Sequence, residues 1–360
     1  MCDTTAAALP GSASEAPLGS AENGRRPTMR DVAARAQVSF KTVSRVVNEE
    51  GGVSPLLERR VRQAIEDLDF RPNAGARILR RSDHRTATIG LLLEDVANPF
   101  SAAIQRAVED VAVPRGVFVL SASLDEDAAR EQALCKQFGA RPVDGLVLAP
   151  AGDDQSHLAG ELRRGTAVVC VDREAGNLPV DSVLATNKVG AAEGVRHLAA
   201  AGHRRIAYLG DRRTIPTAVQ RLAGYHDALA ARGIAADPTL VVQDVRDASG
   251  SDGAITTLLS RPDPPTALFT AQNMITIGAV RALRRLGLEH RVALVGFDDF
   301  LLAELLSPGV TVVAQDPTAM GRTAAELLFE RIGGSTRPAE VRLVPTTLVR
   351  RGSGELPPPG

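Results

Sequence analysis

The chain has 360 residues, 44% hydrophobic and 24% charged, with a formal net charge of −1, a balance ordinary for a folded protein of more than one domain. No apolar run reaches the length of a membrane span, the N-terminus lacks the basic start and apolar core of a secretory signal, and three cysteines (Cys2, Cys135, Cys170) without a CxxC pair predict a reducing cytoplasm and no disulfide framework. The near-zero charge hides an asymmetry: residues 25–85 hold 14 Lys and Arg against 8 Asp and Glu, a net of +6, while the remainder carries −7, as in a protein that meets a polyanion at one end.

Residues 1–27 are rich in Ala, Gly, Ser and Pro without apolar periodicity and read as a disordered tail. Residues 28–48, TMRDVAARAQVSFKTVSRVVN, predict a helix-turn-helix. Thr28 with Asp31 three residues on forms a capping box. Val32, Ala33 and Ala36 make a small apolar face, Gln37-Val38-Ser39 the turn, and Ser39 a cap for the second helix. There Val43, Val46 and Val47 point inward. Phe40, Lys41, Ser44 and Arg45 lie on the other side, where a recognition helix meets base edges and phosphates. A third helix starts after Ser54-Pro55, buries Leu57, Val61, Ala64, Ile65 and Leu68, adds Phe70 as an anchor, and stops at Arg71-Pro72. A generic helical hairpin with a solvated basic face has the same periodicity; read as a DNA-binding domain, it spans residues 28–72, and residues 73–85 follow as a short basic segment that by itself is a flexible linker.

The string Asp31-Val32-Ala33, Ala36, Val38-Ser39, Thr42-Val43-Ser44-Arg45-Val46 and Asn48 resembles the lactose/galactose-repressor (LacI-type) family, whose pattern is D-V-A-x-x-A-x-V-S-x-x-T-V-S-R-V-x-N. The resemblance runs on to about Arg351. It implies a hinge over residues 73–85 that becomes helical when two chains meet on DNA. Asn73, Ala76 and Leu79 match the hinge pattern N-x-x-A-x-x-L. Leu79 is then a wedge for the minor groove at the operator centre, with Arg77 near phosphates. The DNA-contacting set is therefore Thr28, Ser39, Phe40, Lys41, Thr42, Ser44, Arg45, Asn48, Asn73, Ala76, Arg77 and Leu79.

From Thr86 onward strand-like and helical stretches alternate. Strands are expected at residues 89–93, 117–120, 146–148, 168–171, 206–209, 267–269, 292–295 and 310–313, and helices at 190–201, 220–231, 275–286 and 318–332. Repeated units of this kind build parallel doubly wound sheets, and more than 260 residues exceed one such sheet. The fold class is an N-terminal all-α helix-turn-helix domain followed by an α/β two-lobed domain, residues 86–351, similar to periplasmic binding proteins. The lobes are expected to comprise residues 86–185 with 315–338 and 186–314 with 339–351, and residues 352–360 a disordered tail.

Ligands of open α/β sheets bind beyond the carboxyl ends of strands. Asp95 and Asn98-Pro99-Phe100, Asp172-Arg173, Gln272-Asn273 and Asp298-Asp299 sit at such ends. By resemblance, the arginine of R-L-A-G-[FYW] and the first aspartate of V-G-[FY]-D-[DN] hold the effector; they map to Arg221 and Asp298. Asp172 matches a cleft aspartate, Thr217 a small hydroxyl position, and Phe100 a stacking wall. An arginine fork facing a carboxylate suits neighbouring hydroxyls, the competing reading being an Arg221–Asp298 bridge across the two lobes. Asp95, Asn98 and Gln272 serve as well as turn or capping residues. Gln272-Asn273 replaces the Asn-Asp of many relatives, which removes a carboxylate. Ile215 replaces a purine-selective arginine of some relatives.

The catalytic inventory is thin: no GxxxxGK[ST] loop, no HExxH, and six scattered histidines without metal spacing. Neither a metal nor a cofactor is expected. These residues point to a cytoplasmic transcriptional regulator rather than an enzyme, most simply a repressor. Its expected partners are double-stranded DNA (a pseudo-palindromic operator, with a central CpG step implied by the family), a sugar, polyol or nucleoside effector, and a second copy of itself. No heptad repeat follows Arg351, which favours a dimer. The competing readings are a cytoplasmic solute-binding protein and a sugar-processing enzyme on the same scaffold.

Overall fold

The computed structural model describes residues 25–48, 50–71, 85–140 and 142–359, and the chain divides into two compact units, Met1–His84 and Arg85–Gly360. The expected tail lies outside the described residues up to residue 24, as do Asn73, Ala76, Arg77 and Leu79 of the expected hinge.

In the first unit, α1 (Met29–Ala36), α2 (Phe40–Val47) and α3 (Pro55–Asp67) pack around Val32, Ala36, Val43, Val46, Val61, Ala64 and Phe70. The Asp31 carboxylate accepts from the backbone N–H and the hydroxyl of Thr28, both at 2.7 Å, completing the reach-back half of the capping box. The turn is built by hydrogen bonds from Gln37 N–H to Ala34 O and from Val38 N–H to Ala33 O, with Gln37 at φ 52°, a Schellman closure that reverses the chain sharply. Ser39 caps α2 by accepting from Thr42 N–H at 3.1 Å. The third helix ends at Asp67 rather than at Arg71-Pro72. Asp69 takes φ 42° and Phe70 N–H returns to Ile65 O at 2.9 Å, so the same closure turns Phe70 back into the core before the proline is reached.

The second unit holds two six-stranded sheets. The first contains β1 (Thr88–Leu93), β2 (Phe118–Ser123), β3 (Gly145–Leu148), β4 (Ala167–Val171) and β5 (Asp181–Ala185), crossed over by α4 (Pro99–Ala112), α5 (Ala128–Ala140) and α6 (Ala159–Arg163). The second contains β6 (Ile206–Leu209), β7 (Val241–Val242), β8 (Ala267–Thr270), β9 (Ala293–Phe297) and β10 (Thr311–Ala314), with α7 (Asn187–Ala200), α8 (Pro216–Ala231), α9 (Ala248–Leu259) and α10 (Asn273–Leu286). Then α11 (Pro317–Ile332), β11 (Val341–Val344) and β12 (Thr347–Val349) finish the lobes. The strand orders are β11-β5-β4-β3-β1-β2 and β12-β10-β9-β8-β6-β7, one plan used twice. Both faces of each sheet are covered. Ile89, Leu91 and Leu93 pack against α4 and α11 while Leu92 faces the α5 side, the alternation a strand imposes.

Chain crossovers between the lobes fall at residues 185–187 and 314–317. The third does not fall near Glu340. Val341–Val344 pairs in parallel with Ser182–Ala185 in the first sheet, and only Thr347–Val349 joins β10, antiparallel, in the second. Residues 339–344 therefore belong with the first lobe. The cause is local: Asp181, buried against Arg331 and Arg337, accepts from Glu340 N–H at 2.9 Å, and Ser182 N–H donates to Glu340 O, which lays the returning chain along β5.

The expected disordered tail, 352–360, is likewise ordered through residue 359. Ser353 is buried, its hydroxyl donating to Leu294 O at 2.6 Å and accepting from Thr311 N–H at 2.9 Å, and His203 Nε2 lies 2.8 Å from Leu356 O. These bonds hold the C-terminal segment against β9, the start of β10 and the turn at His203 in the second lobe.

Candidate functional site

On the first unit, one face of α2 presents side chains that the fold leaves uncommitted. Phe40 is 44% exposed, although large apolar side chains usually withdraw from water. Neither the Lys41 ammonium nor the Arg45 guanidinium has a hydrogen bond or ion pair among the described residues. Other members of the expected set are occupied within the fold. Thr28 is tied to Asp31, the Ser39 and Thr42 hydroxyls meet at 2.9 Å, and Asn48 Nδ2 donates to Ser44 Oγ and to Glu50 Oε1. The frame behind is stiffened by Arg35 on Asp67, which joins α1 to α3. A short helix with Lys41 in its first turn and Arg45 in its last, neither spent inside the fold, and held by a three-helix core, can present that face to a nucleic-acid groove.

In the second unit, the structure gathers Phe100, Asp172, Thr217, Arg221, Gln272 and Asp298 around one cavity of about 30 Å³. It adjoins a recess of about 250 Å³ through the shared walls Asp172, Arg173, Ile215 and Thr217. Arg221 is the best-anchored of these residues. Its Nε donates to Asn187 Oδ1 at 2.7 Å and its Nη1 to Ala271 O at 2.8 Å, and its guanidinium lies 4.0 Å over the Phe297 ring. Asp298 Oδ2 is 3.5 Å from Nη1. That pair lies within the second lobe, so the alternative of an Arg–Asp bridge across the lobes is not what forms. The lobes are instead spanned by Asn273 Nδ2 donating to Asn98 Oδ1 at 2.8 Å and by Arg212 donating to Glu126 O at 3.5 Å.

Asp172 and Asp298 occupy equivalent places in the duplicated plan, just past β4 and β9. Both take φ 67°, and their backbone N–H groups donate to Val183 O and Val313 O at 2.9 Å. A left-handed non-glycine residue is strained unless its surroundings hold it, and here the neighbouring strand does so twice. Gln315, on the second crossover, donates to Asp298 Oδ1 at 2.6 Å.

The strand-end rule missed four wall residues or chose their neighbours. Glu94 lines the cavity, whereas Asp95 beside it is exposed and closes a turn by accepting from Ala97 N–H. Asn98 does both jobs: it caps α4 through Phe100 N–H and borders the cavity. Asp211 follows β6, where the same rule would have found it. Arg173 stands at a strand end beside Asp172 with no motif to give it a role, and Gln315 carries no motif.

Electrostatically the cleft is acidic and buried. Burial lifts the Glu94 carboxyl to about 8, reinforced by Glu126 and only partly offset by Arg173. Burial also raises Asp172 and Asp211 above the usual carboxylate range. Burial opposes the charge on Arg173, but the Glu126 carboxylate, bound at 2.7 and 2.5 Å, outweighs it and keeps the guanidinium cationic. Among the described residues no group of three His, Cys, Asp or Glu side chains is arranged to hold a metal.

Residues 28–73 match the family described as bacterial regulatory proteins, lacI family, and residues 195–354 match a periplasmic binding protein-like domain. The chain is 34% identical over 332 residues to the HTH-type transcriptional regulator GalR of Escherichia coli K12, covering 92% of this chain and 96% of the relative. It is 32% identical over 328 residues to the ribose operon repressor of Haemophilus influenzae, covering 91% and 98%. Among solved structures, the lac repressor dimer bound to operator and the anti-inducer ONPF is similar at a TM-score of 0.80 and 27% identity, over 92% of this chain and 99% of that one. The transcriptional regulator CelR–cellobiose complex is similar at a TM-score of 0.67 and 33% identity, over 91% and 100%.

Proposed function

The chain belongs to the lacI family of bacterial regulatory proteins, and from that premise we propose that it represses transcription as a homodimer on a pseudo-palindromic operator, released or reinforced by a small polyhydroxylated effector in the cleft of its second unit. The observation that carries the reading is the α2 face, where Lys41 and Arg45 stand uncommitted beside exposed Phe40 on a helix fixed by its own core. Arg45 and Lys41 then read bases or phosphates, and Phe40 offers an apolar surface to a thymine methyl. Family resemblance supports a hinge at Asn73, Ala76, Arg77 and Leu79 and a central CpG step, a flexible site that kinks readily. Similarity to a lac repressor dimer bound to operator supports the dimer, and a relative in complex with cellobiose supports a sugar-sized effector. No helix among the described residues is long and apolar enough to cross a membrane, in keeping with work in the cytoplasm.

The cleft can couple to DNA only in so far as the effector binds the operator-competent and operator-incompetent states unequally. Thr217, Arg221, Asp298, Asp172 and Gln272 supply the differential contacts, with Phe100 as a wall. The reading is tested by gel shift of the full chain against a randomised duplex library across a salt series. Saturable binding to a selected inverted repeat, weakening steeply with salt, is the expected outcome. Protection of a single unsymmetrical half-site, or no saturable binding, overturns it.

A further inference from the structure

Resting on the cleft's assignment as the effector site, we infer that its effector is a hydroxyl-bearing cation of the amino-sugar class, rather than a neutral or a phosphorylated sugar. The first observation is the charge of the walls. Glu94, Asp172, Asp211 and Asp298 face only Arg173 and Arg221, a surplus of carboxylates. Both guanidinium groups are already engaged, Arg173 by Glu126 at two points and Arg221 by Asn187, Ala271 and Asp298. The layer behind offers no relief, since Arg212 stands 3.9 Å from that same Glu126.

The second observation is independent of charge. Gln272, only 8% exposed, keeps its buried Oε1 without a partner on the cavity wall, as do Asp172 Oδ1 and Gln315 Oε1. All three are acceptors. The orientation of Gln315 is fixed, because its amide nitrogen donates to a carboxylate that can only accept, leaving the oxygen as the free end. The buried donor without a hydrogen bond on the same walls, Arg173 Nε, sits 3.6 Å from Asp172 Oδ2 and so already faces a carboxylate. Buried acceptors without partners are costly. A phosphate would add acceptors and negative charge to a wall rich in both. A ligand ammonium brings three donors and the missing charge, while its hydroxyls suit the Arg221–Asp298 pair.

Proton linkage makes the inference measurable. Glu126, Asp172 and Asp211 surround Glu94 with negative charge, Arg173 alone opposes them, and burial holds the Glu94 carboxyl up to about 8. A cation seated among these groups favours ionised Glu94 and expels its proton near pH 6.5. A cation that lowers Glu94 by one pH unit binds the ionised cleft roughly tenfold tighter than the protonated one, so both the gain in affinity and the proton release at pH 6.5 grow with the size of that drop.

The experiment is titration calorimetry of the full chain at pH 6.5 in two buffers of different ionisation enthalpy. The probes are three matched pairs (glucosamine and glucose, galactosamine and galactose, mannosamine and mannose) with glucose 6-phosphate. At least one hexosamine is expected to bind roughly tenfold tighter than its hexose, with proton release. Glu94→Gln removes the release and lowers the hexosamine's advantage, the remaining carboxylates keeping part of it. A hexose or glucose 6-phosphate that binds as tightly as the hexosamine overturns the inference, and so does absence of binding by all three hexosamines. Operator binding by the same preparation is followed by gel shift. If a neutral hexose alters it, the effector cleft stands and only its charge class falls; hexosamine binding that survives Asp298→Ala places the ligand outside this cleft.

Discussion

Arg45 illustrates how a residue's freedom signals its use. Its neighbours on α2 are spent on caps and on each other: Ser39 with Thr42, Ser44 with Asn48. Holding a long guanidinium side chain without an internal partner contributes little to folding, so its cost and benefit lie in recognition. Arg45→Ala is therefore expected to weaken specific operator binding by roughly 1–3 kcal/mol and to relax preference at one base pair. Thermal unfolding of the variant is expected to coincide with the parent. Unchanged specific affinity in a competition gel shift removes Arg45 from base reading. Asp172 and Asp298 make the complementary case, in which a residue is held hard in place: each is kept in the left-handed region by a bond to the next strand, which aims its carboxylate where a flexible loop would not.

At the scale of elements, packing between helices is decided by single atoms. Gly224 on α8 lies so close to α7 that an added Cβ would sit 2.2 Å from Lys188 O and 3.0 Å from the Ala191 side chain, and backbone cannot yield as a side-chain tip can. Gly224→Ala is expected to destabilise the second unit by about 1–3 kcal/mol or more through forced separation of the two helices. Gly253, exposed on α9 with nothing near its Cβ position, is the opposite case. Gly253→Ala is expected to stabilise by about 0.5–1 kcal/mol through helix propensity alone. Calorimetric melting of the two variants with the parent checks both signs, and a neutral Gly224→Ala refutes the close approach. Legibility in the sequence follows the same physics. Strands buried on both faces, such as Leu91–Leu93 and Val168–Val171, announce themselves as apolar runs. β5 was hidden by its leading Asp181, β11 by alternating Arg342 on an exposed edge, and β7 by its two-residue length. Of the strand-end residues, Asn98, Phe100, Asp172, Arg173, Gln272 and Asp298 line the cavity, whereas Asp95 closes a turn and Asp299 pairs with Arg351. Gln315 did not show, because its place is set by a crossover and by a bond to Asp298 rather than by any local pattern.

Across the second unit as a whole, two lobes with separate sheets and separate cores are joined by three crossovers, an arrangement suited to hinge closure about the cleft. What holds the lobes together at the cleft is sparse. Asn273 on α10 donates to Asn98 before α4 at 2.8 Å, with both residues buried. A buried hydrogen bond of this kind contributes about 1 kcal/mol net, or roughly a fivefold bias toward the closed arrangement. Asn273→Ala removes it cleanly, because Asn98 Oδ1 still accepts from Phe100 N–H and is not left orphaned. Asn98→Ala would also strip the cap from α4 and confuse the two effects. An effector that touches both lobes must then supply the lost closing energy itself. Its affinity for Asn273→Ala is expected to fall roughly fivefold while the melting temperature of each lobe is kept. Small-angle scattering of the variant is expected to show a larger radius of gyration without ligand and the parent's radius with it. A variant that scatters and binds as the parent does shows that closure is governed elsewhere, with Arg212 on Glu126 the next contact to remove.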